Sequence, residues 1–70
     1  MDNIYYQIKS DNTTAYSKTK RDAEDLQNEI YNKTKKVAKI RPMKKSEISI
    51  SDWDLVNELS SQISISMRYR

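Results

Sequence analysis

The sequence predicts an α+β fold: a small two-layer sandwich in which a mixed sheet of three to four strands carries two helices on one face, in the order ββαβαβ. Two alternating stretches and two capped stretches predict it. "NIYYQIKS" at 3–10 and "QISISMRYR" at 62–70 alternate apolar with polar residues, the period of a half-buried strand. "TKRDAEDLQNEIYNK" from Thr19 and "SDWDLVNEL" from Ser51 each open on a hydroxyl residue, place an acid three positions later and repeat apolar residues at helical spacing.

In chain order, Ile4, Tyr6 and Ile8 form the apolar side of the first strand, with Tyr5, Gln7 and Lys9 opposite. "SDNT" at 10–13 supplies turn residues that tolerate left-handed backbone, so "TTAYSK" is expected to return as the second arm of a hairpin. A helix over about 20–34 follows. Asp22, Glu24 and Asp25 lie in its first turns and Lys33, Lys35 and Lys36 at its end, as the helix dipole favours. Ala23, Leu26, Ile30 and Tyr31 mark its apolar side. A strand over about 36–42 is expected to turn Ala38 and Ile40 inward and Val37, Lys39 and Arg41 outward. Pro42 cannot donate to a ladder, so it marks that strand's end or a sheet edge. The second helix, about 52–60, is expected to be capped by Ser51, stapled by Ile50 against Leu55, and buried through Leu55, Val56 and Leu59 with Trp53 alongside. The tail at 62–70 is the last strand. One domain covers 1–70, with no repeat, linker or low-complexity tract.

Composition closes off most chemistry. The chain has no glycine, histidine or cysteine, so it cannot build a glycine-rich phosphate loop, a disulfide, a thiolate nucleophile or an imidazole base. No cofactor, no metal and no catalytic residue is expected. Asp52 and Asp54, two apart on a helix, point in different directions and do not form an acid–base pair. The N-terminus carries an acid where a signal peptide needs base, and no apolar run reaches membrane-spanning length. A cytoplasmic address is the expectation, with no membrane contact.

The charges are more informative. Residues 33–45, "KTKKVAKIRPMKK", hold seven cations and no acid, although the net charge is only +3. On the predicted fold the uncovered sheet face carries Tyr5, Lys9, Lys39, Arg41, Arg68 and Arg70, while the helices hold seven of the ten acids. The basic face suits nucleic acid, with phosphates on the cations and a base stacked on Tyr5. The bland explanation is that lysine on sheet edges suppresses aggregation. Asp22, Asp25 and Glu29, spaced i, i+3 and i+7, offer a row of carboxylates to a basic protein groove. The bland explanation there is the helix dipole.

The small size, the lack of glycine and the wealth of Asn, Ile and Lys resemble small accessory proteins of bacteriophages and mobile elements in composition, without a shared motif. That resemblance implies stoichiometric binding, often to a nucleic-acid-handling machine. The sequence therefore predicts a non-enzymatic regulatory or inhibitory protein that docks on a protein partner. Direct nucleic-acid binding is the alternative, and a homodimer a third reading.

Overall fold

The computed structural model describes residues 4–69. Strands β1 (Ile4–Lys9) and β2 (Thr13–Ser17) form the expected hairpin, and α1 follows at Lys20–Thr34. Strand β3 (Lys39–Lys44) leads through 3-10 turns at Lys45–Glu47 and Ile50–Asp52 into α2 (Trp53–Glu58), and β4 is Ile65–Tyr69. The α+β class and the element order are those predicted. The four strands lie in the order β3-β1-β2-β4, and every pair is antiparallel.

Two features differ from the sequence expectation. The sheet is antiparallel rather than mixed, because β1 pairs with its hairpin partner on one side and with β3 on the other. The helices pack on the sheet as expected, but on opposite faces. Successive strand residues point to opposite sides. Ala15 and Ile8 pack with Ala23, Leu26 and Ile30 of α1, whereas Tyr16 and Met43 pack with Leu55 and Val56 of α2. The molecule therefore has two small cores. In the first, Ile8, Leu26 and Ile30 are each less than a tenth exposed, whereas Tyr31, expected on the same side of α1, is left in solvent. Burying each of the three contributes roughly 1.5–3 kcal/mol.

Local signals act at the helix ends. Thr19 Oγ1 accepts from the Asp22 backbone N–H at 3.2 Å, the N-cap read in the sequence. At the other end Lys35 adopts a left-handed conformation, φ 61°, and its N–H donates to the Tyr31 carbonyl. Glycine is the residue best suited to that position. Lys35→Gly is thus expected to raise stability by about 0.5–1 kcal/mol, since the left-handed penalty removed exceeds the entropy that glycine adds to the unfolded chain. Chemical denaturation measures it, and a loss of stability contradicts it.

The predicted start of the second helix is not found. Ile50 is 88% exposed and does not staple Leu55. Ile50–Asp52 first makes a 3-10 turn, and the N-cap of α2 is Asp52 without a side-chain capping bond. Strand β3 begins at Lys39, later than expected, and Val37 lies exposed before it. Pro42 sits inside β3, an edge strand, as its missing N–H allows. Likewise β4 begins at Ile65, leaving Ile63 half exposed ahead of the strand.

Candidate nucleic-acid interface

The face of the sheet that carries α2 is also the basic face. The pairing sets its residues in cross-strand rows: Lys39, Lys9, Thr14 and Arg68 form one, and Arg41, Gln7, Tyr16 and Ser66 the next. Lys9, Lys39, Arg41 and Arg68 thus share a face, as the alternation predicts. Arg70 lies outside the described residues.

The second core divides this face in two. Over β2 and β4, the turn at Ile50–Asp52 and α2 cover the sheet. Tyr16, wholly buried, accepts from Gln7 Nε2 at 2.9 Å and donates its hydroxyl to Asp52 Oδ2 at 2.7 Å. Arg68 closes the same site: Nη2 reaches Asp52 Oδ1 at 2.7 Å and Nη1 reaches the Ser51 carbonyl at 3.0 Å. Arg68 is therefore a clamp on the chain segment crossing the sheet, with its charge opposed by Asp52. Tyr5, the expected stacking ring, is half buried against this core, as are Trp53 and Leu59. Trp53 itself is half buried, donates its indole N–H to the Ile48 carbonyl at 3.0 Å, and lies 5.1 Å beneath the Lys45 ammonium.

Burial is the largest cause that pushes the Tyr16 phenol up to about 12, and the hydrogen bond to Asp52 adds to it; Gln7 and Arg68 act the other way. The fold thus favours the protonated phenol. Its contribution is complete below the unfolded value near 10 and is lost as pH rises through about 12. In an absorbance titration of the five tyrosines, one is expected to ionise last, together with unfolding, and Tyr16→Phe should remove that late step. A titration in which the late step survives Tyr16→Phe contradicts this.

Over β1 and β3 the face is covered at Tyr5 and Met43 by the second core, but at the other end, around Lys9, Lys39 and Arg41, it is open. Lys9 and Lys39 are exposed and directly opposite each other across the strand pair, and exposed Arg41 lies two residues along on the same side. Successive cations on one face of β3 are about 6.7 Å apart along the strand. Like charges directly opposite in a sheet are destabilising. Among the described residues the ion pairs are Lys33–Glu29, Lys36–Asp11 and Arg68–Asp52, so no acid bridges Lys9, Lys39 or Arg41. Asp11, beside them, is engaged by Lys36 at 2.8 Å, whose hydrogen bond holds the Asp11 carboxyl below its usual value.

The acidic row of α1 lies on the opposite side of the molecule and is less uniform than its spacing predicts. Asp25 and Glu29 are exposed, Asp22 is half buried at the capped first turn, and Glu29 is 3.7 Å from Lys33. The exposed cations Lys20 and Arg21 occupy the same first turn. Among the described residues no group of three or more metal-ligating side chains occurs, and no helix is long and apolar enough to cross a membrane. No family model matches the chain, and no curated protein or solved structure does either.

The role of Asp52 was not legible as a site feature. It is 36 residues from Tyr16 and 16 from Arg68 along the chain, and its sequence neighbours describe only a helix start.

Proposed function

We propose that this chain is a small, non-enzymatic binding protein whose ligand is nucleic acid, held through its phosphates by Lys9, Lys39 and Arg41. The observation that carries the reading is the exposed Lys9–Lys39 pair, two like charges set opposite each other with Arg41 alongside and, among the described residues, no acid paired with any of the three. Lysine on the β3 edge alone already protects that edge from sheet addition, but it does not require a second cation directly opposite at Lys9, which costs stability. An anion resting across both strands relieves it.

Among the described residues no fully exposed ring accompanies this row, since Tyr5 and Tyr16 are both taken into the second core. Recognition therefore runs through charge rather than base stacking, and it is independent of sequence. Stoichiometric occupation of nucleic acid is a simple way to regulate or inhibit the machinery acting on it. Docking of the α1 acids on a basic protein is the weaker reading, because the α1 surface mixes both signs.

Salt dependence tests the proposal. Three phosphate contacts give a slope of log affinity against log salt of about −2.7 on duplex DNA and about −2.1 on a single strand. Fluorescence anisotropy with labelled oligonucleotides of unrelated sequence measures both. Affinity that ignores salt, or that depends strongly on base sequence, overturns it.

A further inference from the structure

The two edges of the sheet are not alike. On β3 the outer edge carries Lys39, Arg41 and Lys44 around Pro42, two devices that stop one sheet from adding to another. The opposite edge, β4, reads Ile65-Ser-Met-Arg-Tyr69, with no proline, lysine or acid. Its one described cation, Arg68, is turned onto Asp52 and neutralised there. Among the described residues, the backbone of β4 pairs with β2 alone.

The hydrogen-bond parity shows what this edge offers. Lys18 N–H donates to the Ser64 carbonyl at 3.2 Å. In an antiparallel ladder, bonded and non-bonded positions alternate, so 64, 66 and 68 turn their backbone groups towards β2. Ile65, Met67 and Tyr69 turn theirs outward. The side chains of Ile65 and Met67 are half buried on the α1 face. Helix α1 lies over β1, β2 and β3, and Ile63, just before β4, is 49% exposed. The free backbone groups and an incompletely covered apolar strip therefore belong to the same odd-numbered positions.

We infer that β4 is a self-pairing edge, and that two copies of this chain join antiparallel through it into a continuous eight-stranded sheet. An extended strand pairing with its own copy about a two-fold axis perpendicular to the sheet sets odd residues opposite odd residues. That register satisfies the outward N–H and C=O groups. It also places Ile65 and Met67 of one copy beside those of the other, on the same face. Charge selects the edge as well: with a net charge of +3, two copies repel through their lysine-bearing β3 edges but meet at β4 with Arg68 already opposed by Asp52. Self-pairing does not involve Lys9, Lys39 or Arg41, so it stands or falls apart from nucleic-acid binding.

Sedimentation of the intact chain across micromolar to near-millimolar concentration, with amide hydrogen exchange at the same concentrations, tests the pairing. The expected result is a monomer–dimer equilibrium in which the Ile65, Met67 and Tyr69 amides become protected as dimer accumulates, while the outer edge of β3 does not change. Ile63→Lys with Ile65→Lys is expected to shift the equilibrium to monomer; if that variant does not fold, exchange on the unsubstituted chain still decides. A monomer throughout with those three amides exchanging freely overturns the inference. So does a dimer whose protection appears on β3 or α1.

Discussion

Replacing Lys39 and Arg41 together by glutamate is expected to abolish nucleic-acid binding while leaving the thermal transition in place or raising it. With two of the three phosphate contacts removed, the duplex salt slope falls from about −2.7 to about −0.9, with added repulsion from two new carboxylates. Stability moves the other way. Lys39→Glu turns the like-charged pair with Lys9 into an opposite-charged one, a change of roughly 0.2–1 kcal/mol in favour of the fold. In a domain of this length that is about 1–7 °C in melting temperature. Retained affinity contradicts the prediction, and loss of binding through unfolding contradicts its second half. Arg68 is a poor choice for the same experiment, because its substitution also removes the clamp on Asp52. The reverse test is Asp52→Asn: it weakens the clamp and releases Arg68 to the basic row, so the fold should lose stability while the salt slope steepens by about 0.9.

Tyr16→Ala is expected to leave the chain largely unfolded. Tyr16 is wholly buried at the centre of the second core, against Met43, Leu55 and Val56. Truncating a buried aromatic costs about 3–5 kcal/mol. Gln7 and Asp52 lose a partner as well, at about 1–3 kcal/mol for a buried group left unmade. Against this stands a total stability of roughly 4–10 kcal/mol for 70 residues. Tyr16→Phe keeps the ring and removes only the hydroxyl, so it should fold with a stability lower by about 1–3 kcal/mol. Circular dichroism with urea denaturation separates the two variants. A folded Tyr16→Ala, or a Tyr16→Phe as stable as the unsubstituted chain, shows that the second core does not depend on this residue.

These residues also show where sequence reasoning ran out. Alternation placed Lys9, Lys39, Arg41 and Arg68 on one face correctly, because strand period is a local property. It could not say what else would occupy that face. Tyr16 was expected only within the returning arm of a hairpin, and Met43 lay beyond the expected end of the third strand. Both proved to be the floor of the second core. A helix seeks whatever apolar patch remains uncovered, and α1 had already taken Ile8 and Ala15. The Ser51 cap and the Ile50 staple failed for a related reason. Asp52 is held by Tyr16 and Arg68, which draws this segment across the sheet as a 3-10 turn and leaves Ile50 outside. Tertiary hydrogen bonds outweighed a local capping preference worth about 1 kcal/mol.

From its sequence alone this protein was committed to four short strands, one long and one short helix, a basic strand run and a chemistry without thiols, imidazoles or glycine loops. Each of those rests on spacing or residue type within a few positions. Only the tertiary structure decided that the helices lie on opposite sides of an antiparallel sheet, that Arg68 serves as a clamp, and that Lys9, Lys39 and Arg41 remain open to solvent. Those outcomes depend on which apolar patch each helix reaches and which acid each cation meets, and these are contacts between residues far apart in the chain.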